Sequence, residues 1–315
     1  MRVFGYSETV AALDFASLIE ALRQAFRTAG VATPPRQRYE IPVPHRAAGT
    51  LLVMPAWKAG DRIGVKVLGL FPDNPDHGET TSQGAYLMLD GRTGKPMAAI
   101  DAAGLTARRT AAASALAASY LARPDSERLL MIGTGALASH LIEAHASVRP
   151  IRNVLVWGRN HEKAERLAQR LTRRALKVTA AEDLQSAVNG AHVICCATAS
   201  REPLLLGHWL PLGAHIDLVG GFTPEMREAD DEVIRRARIF VDSRDAALAE
   251  AGDIVQPVRD GILRPDDIAG DLFDLTRGAR SGRRFHDQIT LFKSVGHALE
   301  DMAAAKQALE NALAP

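Results

Sequence analysis

Residues 128–139 read Arg-Leu-Leu-Met-Ile-Gly-Thr-Gly-Ala-Leu-Ala-Ser, and the fold turns on them. Leu129 to Ile132 is an apolar run of the length of a buried strand. Gly133-Thr134-Gly135-Ala136-Leu137-Ala138 follows at once. Ala136, Leu137, Leu141, Ile142 and Ala146 then return at helical spacing. Strand, tight glycine turn and helix together form the context that a dinucleotide fingerprint requires. Gly133 makes the turn. Gly135 lets the backbone approach a pyrophosphate, whose charge sits at the helix N-terminus. Ala138 stands in the third glycine position. A tightly packed α/β turn that binds nothing shares this pattern, so the flanks carry the reading.

Downstream, strands are predicted at about 153–157, 177–179, 192–196, 215–219 and 238–242. Helical patterns such as Glu162–Leu171 and Asp183–Val188 separate them. This alternation predicts a Rossmann-type, doubly wound parallel sheet. The second strand ends Val156-Trp157-Gly158-Arg159-Asn160, where an NAD-preferring domain usually carries an acid for the ribose hydroxyls. Arg159 is placed instead to meet a 2′-phosphate, which favours NADP(H), with NAD(H) as the alternative. Ala197-Thr198-Ala199-Ser200 and Val219-Gly220-Gly221-Phe222-Thr223-Pro224 follow strands at the carboxyl edge, where a cofactor passes. The acids Glu250, Asp253, Asp260, Asp266, Asp267, Asp271 and Asp274 lack metal-ligand spacing and read as a solvated face; no metal is expected.

Upstream of Pro124-Asp125, a boundary signal, the chain reads as α+β. A short strand at 2–6 leads to a helix opened by Ser7 and Glu8, carrying Val10, Leu13, Ile19, Leu22 and Phe26 and closed by Gly30. Arg36 and Arg38 lie in an extended, proline-marked passage. Leu51–Met54 and Ile63–Leu70 read as strands. Lys66 is a cation inside the second apolar run, which costs desolvation unless it is paired or used; an edge strand with Lys66 in water is the other reading. Residues 71–84 form a polar loop, and Ala85–Leu89 and Met97–Ile100 make a hairpin about Asp90-Gly91-Arg92-Thr93-Gly94. Residues 104–122 form an alanine-rich helix with Thr106 as its N-cap. Arg108 and Arg109 then fall in the first turn, where the macrodipole disfavours cations. Either an anionic ligand or ordinary ion pairing answers that. Residues 289–296 lead to a last alanine-rich helix, from about 297 to 313.

The chain has 315 residues, 47% hydrophobic and 24% charged, with a net charge of +1, enough for two domains and without a basic tract for nucleic acid. Its two cysteines are the neighbours Cys195 and Cys196, which on a strand point to opposite faces. They make no disulfide framework and fit a reducing compartment. Neither a signal core nor a membrane-length apolar run is evident, so a soluble cytoplasmic protein is expected.

Taken together, several stretches resemble the ornithine cyclodeaminase/μ-crystallin family along nearly the whole chain. They are Val53-Met54-Pro55, Gly64-Val65-Lys66, Leu105-Thr106-Ala107-Arg108-Arg109-Thr110-Ala111-Ala112, Gly133-Thr134-Gly135, Lys293-Ser294-Val295-Gly296 and Glu300-Asp301. The resemblance implies a homodimer. It also implies a dinucleotide-binding domain (123–287) inserted into a substrate-binding and dimerisation domain (1–122 plus 288–315). Lys66 and Arg109 match substrate-carboxylate ligands, with Lys66 next to the reacting carbon. Arg38 matches the upstream substrate arginine better than Arg36 does. Thr81, Arg109, Gly133, Gly135, Ala136, Leu137, Arg159, Thr198, Val219 and Ser294 fall on cofactor-contacting positions.

Three departures point away from ornithine. Phe222 stands where the cyclodeaminases carry the aspartate that binds the side-chain amine. Leu52 or Val53 stands where they carry a glutamate, and Arg159 replaces the acidic NAD residue. The resemblance therefore favours the ketimine reductase branch, which reduces Δ1-pyrroline-2-carboxylate and Δ1-piperideine-2-carboxylate to L-proline and L-pipecolate with NAD(P)H. Phe222 would wall the ring. An NAD-dependent ornithine cyclodeaminase, an amino-acid dehydrogenase and a non-catalytic NADPH-binding protein are the alternatives.

Overall fold

The computed structural model describes residues 1–313. The chain begins with β1 (Arg2–Phe4), α1 (Tyr6–Ala12), α2 (Phe15–Arg27), β2 (Val31–Ala32), β3 (Gln37–Ile41), β4 (Gly49–Lys58), β5 (Arg62–Leu70), β6 (Ser82–Asp90), β7 (Pro96–Asp101) and α3 (Ala102–Leu121). The single helix expected up to Gly30 is two. Leu13 leaves helical geometry, and the Asp14 carboxylate accepts from the Ser17 N–H at 3.0 Å. That internal N-cap starts a new helix instead of extending the old one. The cap of α3 also differs. Asp101 Oδ1 accepts from the Gly104 N–H at 2.7 Å, so α3 starts earlier than Thr106. Arg108 and Arg109 therefore lie in its second turn, beyond most of the macrodipole penalty.

Seven strands form one sheet in the order β1-β7-β6-β5-β4-β2, with β3 also on β4. All pairs are antiparallel except β1 with β7. Strand alternation buries Leu52, Met54, Leu68, Tyr86, Met88 and Ile100 on one face.

The chain continues through β8 (Arg128–Ile132), α4 (Ala138–Val148), β9 (Asn153–Trp157), α5 (His161–Leu171), β10 (Lys177–Ala180), α6 (Leu184–Asn189), β11 (Val193–Cys196) and β12 (His215–Leu218). Then come α7 (Asp231–Arg236), β13 (Arg238–Val241), α8 (Arg244–Glu250), α9 (Gly252–Arg259), β14 (Gly270–Asp271), α10 (Leu272–Arg277), β15 (Thr290–Lys293) and α11 (Ala298–Leu313). The second sheet has eight strands, all parallel, in the order β10-β9-β8-β11-β12-β15-β13-β14. The α/β fold with a doubly wound parallel sheet is thus as expected. Leu130, Ile132, Ile194, Ile216, Leu218, Val241 and Leu291 form the centre of its core. Order reverses between β8 and β11, which is where such sheets open a ligand crevice.

One segment departs from expectation. Strand β15 lies between β12 and β13, although residues 288–296 were assigned with the chain ends. All four of its residues are buried. Its apolar pair Leu291-Phe292, flanked by Thr290 and Lys293, carries no sign of which sheet it joins. The chain divides into two compact units, residues 1–110 with 297 onward, and Ala111–Gly296, instead of at 122/123 and 287/288. In the first unit α11 packs on α2 and β4. Among the described residues, no helix is long and apolar enough to cross a membrane.

Candidate active site

Strand β5 places Gly64, Lys66 and Leu68 on one buried face. Lys66 is 1% exposed, and its Nζ lies 2.8 and 2.7 Å from Oδ1 and Oδ2 of Asp301. Arg109 reaches the same carboxylate through Nε at 2.9 Å and Glu300 Oε2 through Nη1 at 2.8 Å. Glu300 and Asp301 are fully buried and open α11, where acids complement the helix N-terminus. Burial, with the Arg109 charge second, pushes the Lys66 ammonium down to about 8, against the pull of Asp301. Burial alone would raise Asp301, but Lys66 and Arg109 outweigh it and hold the carboxyl below its ordinary value. Lys66 is therefore paired and buried, not turned to water from an edge strand.

The other arginines separate. Arg108 Nε donates to the Leu13 carbonyl at 2.7 Å, and its guanidinium lies 3.5 Å from the centre of the Phe15 ring. It ties α3 to the start of α2. Arg38 lies exposed on β3, whereas the charge of Arg36 acts on both Lys66 and Asp301. Residues on an irregular approach to a strand keep no fixed alternation, so spacing from Pro42 could not separate the two. Thr81 is exposed just before β6, where its carbonyl accepts from the Phe71 N–H at 2.8 Å.

In the parallel-sheet unit, the Gly133 N–H donates to the Trp157 carbonyl at 2.8 Å. Gly133 has a φ of +118°, and a Cβ there would lie 2.6 Å from the Ala197 carbonyl oxygen. Only glycine satisfies both conditions. A Cβ on Gly135 would meet no protein atom within 4 Å. Gly135 and Ala136 are exposed, and Leu137, the residue before α4, offers the helix no side-chain cap. The turn thus offers open space in front of uncapped helix N–H groups, as a pyrophosphate requires. Arg159 is exposed beside Asn160, whose side chain caps α5. Val219 and Ser294 are buried, at 6% and 3% exposure, and Phe222 is 37% exposed.

A second buried ionic group lies in this unit. Glu228 accepts from the N–H and hydroxyl of Thr198 through Oε1, both at 2.8 Å, and from the Gly220 N–H through Oε2 at 2.7 Å. Asp253 Oδ1 accepts from the Glu228 and Ala229 N–H groups at 2.8 and 3.1 Å. Its Oδ2 lies 3.3 Å from Lys293 Nζ. All three side chains are fully buried. Burial pushes Glu228 up to about 7, with Lys293 opposing and Asp253 adding to the rise. Nearby, Asp217 accepts from Ser114, His145 and Cys195 at 3.0–3.1 Å.

The profile of the ornithine cyclodeaminase/mu-crystallin family fits residues 5–315. The chain belongs to that family. Its relatives within the ornithine cyclodeaminase/mu-crystallin family include a Δ1-pyrroline-2-carboxylate reductase of Paracoccus denitrificans, 37% identical over 96% of this chain and 95% of that one. Among solved structures, the Δ1-pyrroline-2-carboxylate reductase of Thermococcus litoralis, in complex with NADH and L-proline, matches with a TM-score of 0.93. It is 33% identical, covering 99% of this chain and 98% of that one. An archaeal alanine dehydrogenase dimer with bound NAD matches with a TM-score of 0.91 and 29% identity, covering 99% and 96%.

Sequence reasoning missed Glu228, Asp253 and Lys293. Asp253 was placed on a solvated face, yet it is fully buried. Counting acids says nothing about which one faces inward. Lys293 did carry a signal, the one that marked Lys66: a cation attached to an apolar run, here Ile289–Phe292.

Proposed function

We propose that this family member is an NAD(P)H-dependent reductase of cyclic ketimine carboxylates, taking Δ1-pyrroline-2-carboxylate or its six-membered homologue to the amino acid. The observation that carries this reading is the buried pair Lys66 and Arg109, two cations held on one carboxylate. A substrate carboxylate that meets such a pair gains charge-assisted, directional hydrogen bonds in a low-dielectric site. Arg36 is the third cation in reach; Arg38 drops out of the substrate set. The fold match to a reductase that holds NADH and L-proline supports the substrate class. Phe222 supports it further, because an apolar ring has no ammonium to pair and needs no acid there.

When bound, the nicotinamide supplies the hydride that adds to C2 of the C=N bond. The chain's own residues hold the carboxylate and fix the imine plane, and positioning of this kind is worth roughly 7–11 kcal/mol. The imine nitrogen needs a proton to take the electron pair of the breaking π bond. With its proton affinity lowered to about 8, Lys66 is charged at neutral pH yet gives a proton more readily than a free lysine. Gly133, Gly135, Ala136 and Leu137 form the pyrophosphate turn, with Thr198, Val219 and Ser294 along the carboxyl edge. Arg159, without an acid beside it at the end of β9, favours NADP(H) over NAD(H).

The reading includes a homodimer. On the face of the antiparallel sheet opposite Lys66, Val53 pairs with Val67, and Val65 pairs with Leu87. Val67, Leu87 and Trp57 are 39%, 36% and 40% exposed. A contiguous apolar sheet face of this kind suits a second copy of the chain. The deciding experiment follows NADPH and NADH oxidation with Δ1-pyrroline-2-carboxylate, beside ammonia release from L-ornithine with NAD. Oxidation without ammonia release is expected. Ammonia release would establish the cyclodeaminase instead, and cofactor binding without any turnover would establish a binding protein.

A further inference from the structure

We propose that Glu228 is a positioning residue for the nicotinamide half of the cofactor, with Asp253 and Lys293 as its buried support. The inference rests on the dinucleotide reading of this unit. Thr198 follows β11, and Gly220 follows β12, adjacent strands at the centre of the parallel sheet. One carboxylate joins them: Oε1 takes both donors of Thr198, and Oε2 takes the N–H of Gly220. The two loops that frame the sheet's carboxyl edge are thereby locked to each other through a single side chain. A neutral amide cannot replace it, since only one of its two terminal atoms accepts hydrogen bonds.

The glycines show how closely the acids are drawn in. A Cβ on Gly220 would lie 2.4 Å from Glu228 Oε1 and 2.0 Å from the Thr198 carbonyl oxygen. A Cβ on Gly221 would lie 2.5 Å from Asp253 Oδ2. The Gly220-Gly221 pair therefore admits the two carboxylates beneath the loop. Asp253, entering from α9, takes the backbone N–H groups of Glu228 and Ala229 and so fixes where the Glu228 side chain begins. Lys293, at the end of β15, faces Asp253 and offsets the charge of two buried acids. Glu228, Asp253 and Lys293, from three separate segments, converge on one task, which is to hold two loops in register. Nothing in the adenine-side turn, Gly133 to Leu137, makes a hydrogen bond with Glu228.

The test compares a whole dinucleotide with its adenine half. Dissociation constants for NADPH, NADH and ADP are measured by fluorescence on the wild type, Glu228→Gln and Asp253→Asn, with thermal melts of each. Glu228→Gln is expected to weaken the dinucleotides by about tenfold, from one lost hydrogen bond to a charged group, and to change ADP by less than about twofold. Asp253→Asn should act in the same direction with a smaller loss, and it carries the test alone if Glu228→Gln does not fold. A general loss of structure would weaken ADP and dinucleotide together. That parallel loss, or no loss in either variant, would overturn the proposal. A wild type that binds ADP-containing ligands but no dinucleotide more tightly than ADP would overturn the underlying reading as well.

Discussion

The two buried ionic clusters are built from the same residue types toward opposite ends. In the antiparallel-sheet unit, cations meet a shared carboxylate: Lys66 and Arg109 converge on Asp301, and Glu300 takes the remaining reach of Arg109. In the parallel-sheet unit, acids meet backbone donors: Glu228 and Asp253 bind loop N–H groups, and a lone lysine balances them. The first arrangement can exchange one anion for another, because a ligand carboxylate and Asp301 offer the same chemistry to the same donors. The second is built around its own loops, because its donors are the backbone N–H groups of Gly220, Glu228 and Ala229 with the N–H and hydroxyl of Thr198. A buried charge pair is weak support for stability in either place, since desolvation offsets most of the attraction. What differs is that one cluster presents charge and the other spends charge on shape.

The largest test of this contrast is Lys66→Met. It should lower kcat/KM for the cyclic imine by roughly a thousandfold, the range for removing a general acid, while NADPH affinity holds. Glu228→Gln should do the reverse, moving cofactor affinity first. Next is Arg109→Lys, which keeps the charge but loses the two-armed contact to Glu300 and Asp301; about a hundredfold loss in kcat/KM is expected. Steady-state kinetics read both.

Arg36→Ala should raise the KM for the imine by about tenfold, as the loss of one charged contact, whereas Arg38→Ala should leave it near the wild type. An equal effect from both would erase the distinction between them. Arg159→Ala should shift the NADPH-to-NADH preference by about tenfold or less, since a surface contact to a phosphate is screened. The smallest effect is on pH. Activity that needs the Lys66 proton is present below about 8 and is lost as pH rises through that value. Asp301 raises the proton affinity of Lys66, so Asp301→Asn should move this falling limb to lower pH. A pH–rate profile of kcat/KM checks the direction.

Much of this was legible in the chain. The strand–glycine–helix passage at 128–139 and the alternation after it carry the parallel sheet, because buried strands and amphipathic helices leave different periods. Lys66 stood out because a cation in an apolar run must be paired or used. Its pairing did not: Glu300-Asp301 was legible only as one of the stretches that carry the family resemblance, and its meeting with Arg109 spans more than 190 positions. Arg36 and Arg38 are not separated by sequence, because both lie in an extended passage with no periodic pattern to say which one turns inward. Strand β15 was misassigned because its pairing with β12 and β13 is a long-range choice.

What local sequence settled, then, was element type, the glycine turn and the identity of the odd charged residues, since these follow from backbone sterics and the cost of burying charge. Only tertiary structure decided which charges meet. It selected Asp301 for Lys66, brought Asp253 inside from a run of acids that otherwise reads as solvated, and set Glu228 between two loops. Those choices depend on contacts between residues far apart in the chain, where electrostatic pairing at 3 Å or so acts and no short-range pattern records it.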